Sequence, residues 1–432
     1  MKNQKTMILA TLLLGSTSLA PAAFAQDAAA EGDAVKSVYE RSRPDYDAPG
    51  IRSGSFLFYP TVGVEGKYNS NIYAEESNVT DDFVVAVKPS FNLVSDWNSS
   101  YLEVFAKADI GRYLDNGGEN YEDYGFGLNG RKDISYGTDF HGNVAYDQKH
   151  EDRGSPDAVG NASEPTQFSV MTASVGFKRD VSILSFAADA EYVKRDFDDV
   201  ALNGGGFRDN QHRDRDRRKG TLRIGYEMAD GYEAFVRGSM DRVEYDDSKR
   251  NGGPQRNSDG YEAVAGAAFD LTGKAKGEFY VGYMKRAFDS NTLGSIDGIN
   301  FGAELLWNAT GLTSFQGTVK RSIEETTIKG KDINDPTLDV YSSGIVATLF
   351  SGRVEHELRR NVLLNADVSY TRQNFELTTR EDELWGAKLG LKYLLNPNFD
   401  INAGYSYDYR DTTTQGQDYQ RHSFRVGIKG QW

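Results

Sequence analysis

The chain of 432 residues has no cysteine, only five histidines and no long hydrophobic run. Without cysteine, disulfide scaffolds and thiol-ligated metal sites are excluded. The apolar run at residues 7–14 is too short for a transmembrane helix, which needs about 20 such residues. The histidines form no pair at metal-ligand spacing. The sequence therefore predicts no transmembrane helix, no cofactor and no metal site, and it favours a function other than catalysis.

The first 25 residues have the composition of a secretory signal peptide. Lys2 and Lys5 precede the apolar run, and Ala23-Phe24-Ala25 forms a small-x-small cleavage site. Removal of this segment takes away two lysines and no acid, so the formal net charge changes from -15 to -17. The acidic balance argues against nucleic acid as a partner. Export of a chain without cysteine is typical of a periplasmic or outer-membrane protein.

Polar and aromatic residues are both abundant. The mean hydropathy is -0.59 and aromatic residues make up 12% of the chain, a combination that disordered chains lack. In residues 399–410, aromatic or apolar residues at odd positions alternate with polar or small residues at even positions. A period of two over about ten or more residues is typical of a strand with one face toward lipid and one toward water. Repeated long strands of this kind favour a membrane barrel over a soluble sandwich.

Short and long connectors alternate along the chain. Eight tight turns are predicted near residues 95–98, 132–135, 179–181, 229–231, 272–274, 308–311, 359–361 and 395–398. Nine longer polar stretches lie around residues 69–81, 111–120, 151–164, 197–217, 246–258, 289–296, 326–337, 376–382 and 411–418. They join eighteen strands, with both chain ends on the side of the short turns, which is periplasmic in outer-membrane barrels. The predicted fold is all-β, a transmembrane antiparallel β-barrel of about eighteen strands.

This pattern divides the chain into three segments. Residues 1–25 are the signal peptide, residues 26–53 are a polar periplasmic lead-in without its own core, and residues 54–432 are the barrel. The stretch at residues 340–358 is long for a single strand. It is therefore where the strand count is most open, by about two strands.

Charged residues at alternate strand positions are candidates for the pore lining. Those predicted to face the lumen are Glu65, Lys67, Glu103, Lys107, Asp189, Glu191, Arg223, Glu233, Arg237, Glu304, Lys320, Asp367, Asp408, Arg410 and Arg425. Eighteen strands enclose an aqueous channel unless a loop or plug fills it. A mixed polar wall suits hydrated, neutral or weakly charged solutes such as sugars. The same wall also results when charges merely pair across neighbouring strands, and the sequence leaves both interpretations open.

Two further features bear on loops and assembly. The run from His212 to Lys219 is the densest charge cluster, and its mixed signs favour a solvated loop end over a loop that folds in and narrows the pore. The last strand alternates through Phe424 and Ile428 and ends at Trp432. A terminal aromatic residue on such a strand resembles the signal that the barrel assembly machinery of the outer membrane reads.

Several short segments have a distinctive sequence: RPDYD at 43–47, GIR at 50–52, GSF at 54–56, YNSNIY at 68–73, WN at 307–308, RSIEETT at 321–327, HELRRN at 356–361 and YLLN at 393–396. Together they resemble the outer-membrane β-barrel porins common in alphaproteobacteria. The resemblance covers residues 40–432. Its motifs lie at barrel ends and turns, so they identify an architecture and carry no catalytic residues.

The resemblance implies a passive conduit in the outer membrane for an exopolysaccharide or capsular polysaccharide. It also implies a periplasmic polysaccharide export protein and its polymer as partners, besides outer-membrane lipid, lipopolysaccharide and the assembly machinery. Polysaccharide export is therefore the leading hypothesis from the sequence. A general diffusion porin for small hydrophilic solutes is the alternative, and an occluded structural surface barrel is a third.

Overall fold

Eighteen long strands form one closed antiparallel sheet in the computed structural model, which describes residues 35–271 and 273–432. We number them in chain order: β1 Phe56–Asn69, β2 Asp82–Ser95, β3 Ser100–Tyr113, β4 Tyr121–Ser135, β5 Thr138–His150, β6 Gln167–Val181, β7 Leu184–Phe197, β8 Arg215–Ala229, β9 Tyr232–Tyr245, β10 Ser258–Leu271, β11 Ala275–Phe288, β12 Ser295–Thr310, β13 Thr313–Glu324, β14 Ile345–Arg359, β15 Val362–Phe375, β16 Glu381–Asn396, β17 Phe399–Thr412 and β18 Tyr419–Gln431. Consecutive strands pair, and β1 also pairs with β18, which closes the sheet. The predicted barrel of eighteen strands is confirmed.

Two predictions fall on residues at the start of the chain. The signal peptide at residues 1–25 and the lead-in at residues 26–34 lie outside the described residues. Within the described part, no helix is both long and apolar enough to cross a membrane.

The strand that opens the barrel follows the alternation that the sequence predicts. In β1, Val62 and Val64 are 43% and 46% exposed on the outer face, because an apolar side chain there has lipid as its surroundings. Glu65 lies between such positions and points to the other face, where it forms an ion pair with Lys88 of β2 at 3.0 Å. We call this second face the lumen face. The barrel therefore has an apolar exterior and a charged interior.

The connectors match the predicted alternation of short and long. The eight short turns are residues 96–99, 136–137, 182–183, 230–231, 272–274, 311–312, 360–361 and 397–398. The nine loops are L1 70–81, L2 114–120, L3 151–166, L4 198–214, L5 246–257, L6 289–294, L7 325–344, L8 376–380 and L9 413–418. The tightest turns use glycine where the backbone needs a positive φ, as at Gly137 (67°) and Gly231 (79°). Residues 340–358, where the strand count was most open, contain one barrel strand, β14. The short strand Asp339–Tyr341 precedes it within L7.

The loop-end tips of β13 and β14 bend into the lumen. The ladder between β12 and β13 stops at Gly302↔Lys320, short of the loop ends of both strands. Beyond that rung β12 still pairs with β11, and β13 still pairs with β14. Val346 of β14 packs in a buried cluster with Met284 and Ile296, which occupy lumen-face positions of β11 and β12. This inward bend carries L7 toward the centre of the barrel.

Residues 35–47 of the lead-in pack against the lumen face at the turn end of the barrel. Val38 is fully buried there, and Arg43 forms a buried ion pair with Glu357 of β14 at 2.8 Å. The short strand Ile51–Ser53 then pairs with β1. The described part of the lead-in is thus packed on the barrel.

Candidate functional site: the loop constriction of the lumen

L3 crosses the lumen from the ends of β5 and β6 toward a distant part of the wall. Arg421 of β18 places Nη1 3.1 and 3.2 Å from the two carboxylate oxygens of Asp152. Arg410 of β17 donates a hydrogen bond to the carbonyl oxygen of Gly154 at 2.9 Å. Because β17 and β18 lie five to seven strands away around the ring, these contacts hold L3 inside the barrel.

The local chemistry of L3 suits this position. Burial would raise the pKa of Asp152, but Arg421 and the N–H of Gly154 outweigh burial and hold that pKa below its ordinary value. The carboxylate therefore stays charged at neutral pH. A Cβ on Gly154 would lie 2.7 Å from the Tyr419 hydroxyl, so only glycine allows the backbone to come this close to the wall.

Two more ion pairs hold the same segment. Arg213 of L4 bonds to both carboxylate oxygens of Glu151 at 2.5 and 3.1 Å, and both side chains are buried. Arg153 bonds to both oxygens of Glu119 at 2.5 and 3.0 Å. Bidentate pairs of this kind fix orientation as well as distance. Both pairs therefore orient the start of L3 as well as hold it.

L7 meets L3 within the barrel. Asp157 of L3 accepts hydrogen bonds from the Thr326 hydroxyl at 3.1 Å, the Thr327 backbone N–H at 2.9 Å and the Thr327 hydroxyl at 3.0 Å. L3 follows β5 and L7 follows β13, so the two loops begin on opposite sides of the ring. The contact between Asp157 and the two threonines joins them across the lumen, and we call it the loop bridge.

The base of L7 is also held to the wall. Glu325 accepts a hydrogen bond from the Tyr245 hydroxyl at 3.0 Å and lies 3.4 Å from Arg286. Both partners occupy lumen-face positions, on β9 and β11. L3, L7 and the bent tips of β13 and β14 together form a constriction near the loop end of the lumen.

The wall between the constriction and the turns carries ladders of paired charges. Arg223 of β8 bonds to Glu233 of β9 at 2.7 Å and to Glu278 of β11 at 2.6 Å. Arg237 joins the same Glu278 at 3.0 Å, and the guanidinium of Arg223 lies 3.7 Å from the ring centre of Phe235. Much of the lumen charge is thus paired across nearby strands, as one of the two open interpretations of the wall expects.

The fifteen predicted pore-lining residues all occupy the lumen face of their strands. Those that form ion pairs with a lysine, an arginine or a carboxylate are Glu65, Lys107, Glu191, Arg223, Glu233, Arg237, Asp367 and Asp408. Asp189 lies 3.1 Å from Nε2 of His141. Glu103 and Arg410 form hydrogen bonds with neutral groups. In the described part of the chain, no ion pair includes Lys67, Glu304, Lys320 or Arg425. Contact between any of these residues and a solute stays a prediction.

The sequence did not indicate which loops fold inward. The sequence of residues 151–157 indicates only a polar loop. The charge run that contains Arg213 favours a solvated loop end. In the structure Arg213 is 5% exposed, and the run continues into β8 from Arg215 onward. The favoured expectation is therefore wrong for Arg213, because its charge is used to hold L3. The only indication of an inward loop in the sequence is that acidic and basic residues lie close together in residues 151–157.

Three carboxylates meet at the loop end, outside the constriction. One oxygen from each of Asp196, Asp214 and Asp246 lies within 4.8 Å of the others. Burial and the two neighbouring carboxylates raise the pKa of Asp214 to about 6, although the backbone N–H of Phe197 opposes this by donating a hydrogen bond to it. Lys194 already pairs with Asp196 at 2.8 Å. Proton uptake and this lysine both lower the negative charge of the group.

Residues 43–432 match the model of a protein family described as "Putative beta-barrel porin 2". The chain belongs to this family. It is a porin-like β-barrel of the cell outer membrane, which confirms the resemblance to porin barrels and the predicted location. That the family is typical of alphaproteobacteria stays a prediction.

Three solved structures are among those to which this chain is similar. OpdK of Pseudomonas aeruginosa is 11% identical, with a TM-score of 0.43, over 87% of this chain and 99% of its own. OccAB3 of Acinetobacter baumannii is 11% identical, with a TM-score of 0.43, over 88% of this chain and 100% of its own. The siderophore receptor PiuA of the same organism is 10% identical, with a TM-score of 0.47, over 89% of this chain and 82% of its own. No curated protein matches the chain.

Proposed function

We propose that the barrel is a passive diffusion channel for small hydrophilic solutes, narrowed by L3 and L7. The loop bridge of Asp157 with Thr326 and Thr327 carries the proposal, because it joins loops from opposite sides of the ring. Loops that cross the lumen in this way would divide it into narrow passages beside the loops, in place of one wide channel. Small hydrophilic solutes would pass through such passages, and a charged wall would keep them hydrated.

Export of a polysaccharide, the leading hypothesis from the sequence, has less support. A polymer in transit needs a continuous path through the barrel, whereas Arg213, Arg421 and Glu119 hold L3 across that path. The matched family is described as a porin family, and nothing in the comparisons supports polysaccharide export. We therefore prefer the diffusion porin, which the sequence offered as the alternative, and we propose no catalytic role.

The proposal includes three sets of contacts. The fifteen lumen-face residues, Lys320 and Glu304 among them, would contact hydrated solutes. Lipid and lipopolysaccharide would cover the exposed apolar face. The assembly machinery would read the strand that ends at Trp432, whose backbone N–H donates to the carbonyl oxygen of Pro60 and whose ring lies against Phe399. A periplasmic export protein and its polymer would be partners only under the polysaccharide hypothesis.

Single-channel recording in planar bilayers tests the proposal. The purified full-length barrel is compared with a variant that carries a short Gly-Ser linker in place of residues 155–164. The control is Arg112→Gln, which removes a charge from the outer face, where Arg112 pairs with Glu122. We expect a stable ohmic conductance for the wild type and the control, and a larger conductance for the shortened loop.

Two outcomes contradict the proposal. A wild-type barrel that stays closed while the shortened variant conducts favours an occluded or partner-gated barrel. Loss of cell-surface polysaccharide after deletion of the gene favours the exporter, whereas unchanged polysaccharide leaves the diffusion porin in place.

A further inference from the structure

Two arginines face each other on the lumen face of β7 and β8, next to the constriction. Arg195 and Arg215 are direct partners in the register of these strands. Residues in that relation have Cβ atoms about 4.5–5.5 Å apart, and like charges placed so are destabilising. The charge of Arg217, further along β8, also repels that of Arg195. The fold thus maintains a concentration of positive charge at one point of the lumen wall.

Neither arginine of this pair has a carboxylate partner within the described chain. Arg215 donates to the carbonyl oxygen of Arg213 at 2.8 Å, and its guanidinium lies 5.6 Å from the ring centre of Tyr245 and 5.7 Å from that of Phe197. Arg217, by contrast, is bound to Glu191 at 2.6 Å. The repulsion between Arg195 and Arg215 is therefore not relieved by a directly bonded acid.

The nearby carboxylates already have partners. Glu325 attracts Arg195 from a distance but accepts its hydrogen bond from Tyr245 and lies beside Arg286. Asp241 is bound to Arg286 at 2.6 Å. Both acids thus lie beside Arg286, and neither bonds to Arg195 or Arg215. The positive charge of the Arg195 and Arg215 pair therefore remains available.

A third arginine adds an independent sign of a missing partner. Arg256 of L5 is 2% exposed, and its Nη1 donates to the carbonyl oxygen of Ser342 at 3.0 Å. Its Nη2 is buried and has no hydrogen-bond partner among the described residues. Tyr245 is the common neighbour, because the Arg215 guanidinium lies 5.6 Å from its ring centre and its backbone N–H donates to the side-chain oxygen of Asn257, the residue next to Arg256, at 2.8 Å. A buried donor without an acceptor is costly, which points to an acceptor supplied from outside the chain.

We propose that Arg195, Arg215 and Arg256 form a binding site for the oxyanion group of a small organic solute, a carboxylate or a phosphate. The proposal rests on the proposed function, because the solute reaches the site through the lumen. The planar guanidinium group has donors in a fork that matches two oxygens of such a group. An oxyanion between Arg195 and Arg215 relieves their repulsion and gives the buried nitrogen of Arg256 an acceptor. The channel would then favour organic acids over neutral solutes of equal size.

Isothermal titration calorimetry on the full-length barrel in detergent tests the site. The probes are gluconate as a carboxylate, glucose 6-phosphate as a phosphate, and glucose as a neutral compound of similar size. The variants are Arg195→Gln, Arg215→Gln and the double variant, with Arg112→Gln as a control that removes the same charge from the outer face. Retention of the heat-modifiable folded band in SDS gels shows which variants are folded.

We expect at least one of the two anions to bind about tenfold or more tightly than glucose. We expect each lumen variant to weaken that binding about tenfold, and the control to leave it unchanged. Binding of gluconate alone, or of glucose 6-phosphate alone, supports the site and identifies its ligand. Equal binding of all three probes, or binding that survives the double variant, overturns it.

Conductance of the same preparations separates this inference from the proposed function. A barrel that conducts but binds neither anion refutes the site and leaves the diffusion channel intact. A barrel that binds the anions and does not conduct supports the site and refutes passive diffusion.

Discussion

Glu151 and Arg213 form the most buried ion pair that holds L3, and its loss has a calculable consequence. The side chains are 7% and 6% exposed, and the Arg213 guanidinium lies 4.0 Å from the ring centre of Phe197. Burial would lower the pKa of Arg213, but Glu151 outweighs burial and holds that pKa above its ordinary value. The guanidinium therefore stays charged. Glu151→Gln would leave this charge buried without a counter-charge.

Removal of one partner from a buried pair costs about 3–5 kcal/mol. Since about 1.4 kcal/mol corresponds to a factor of ten, the anchored position of L3 becomes about a hundredfold or more less favourable relative to a detached one. A double variant, Glu151→Leu with Arg213→Met, removes both charges and keeps apolar volume. Such replacements are often close to neutral, so the double variant should hold L3 far better than the single one.

Single-channel recording measures the effect directly. We expect Glu151→Gln to show a larger and noisier conductance than the wild type, because L3, still held by Arg421 and Glu119 but released from Arg213, leaves its position across the lumen more often. The double variant should return toward the wild-type value. The reasoning would be refuted if all three proteins kept the folded band and showed the wild-type conductance. It would also be refuted if the double variant conducted more than the single variant.

Three further predictions concern pH and assembly. The folded-state pKa of Asp152 is lowered, so its bond to Arg421 persists at neutral pH and is lost only as pH falls through that value. Conductance should therefore stay constant from pH 8 to 5 and rise below about pH 4. A rise in conductance near pH 6 would contradict this. Burial and neighbours such as Asp196 raise the pKa of Asp214 to about 6. Between about pH 4 and pH 6 the folded protein therefore keeps a proton on Asp214 that the unfolded chain loses, and the stability of the fold decreases as pH rises through this range. Asp214→Asn should remove this dependence from the unfolding temperature seen as heat-modifiable mobility in SDS gels. Deletion of Trp432 should lower the yield of assembled barrel in membranes while Trp432→Phe preserves it, and equal yields would exclude a role for the terminal ring.

The strands and their order follow from local sequence. Residues 399–410 alternate without interruption, and β17 is observed at Phe399–Thr412. In an up-and-down barrel each strand pairs with the next one along the chain, so a period of two and a sequence of turns are enough to predict both the wall and its inner face. For this reason Glu65, Arg223 and Asp408 could be assigned to the lumen face from their parity alone.

By itself, then, the sequence determined an eighteen-stranded outer-membrane barrel with a charged lumen. The tertiary structure alone decided what lies inside that lumen. Asp157 and Thr326 are 169 residues apart, and a polar loop has the same composition whether it extends into solvent or folds inward. The choice depends on partners such as Arg213 and Arg421, which come from distant parts of the ring. Ion pairs between residues far apart in the chain leave no periodic pattern in the sequence. For that reason only the folded barrel shows the constriction.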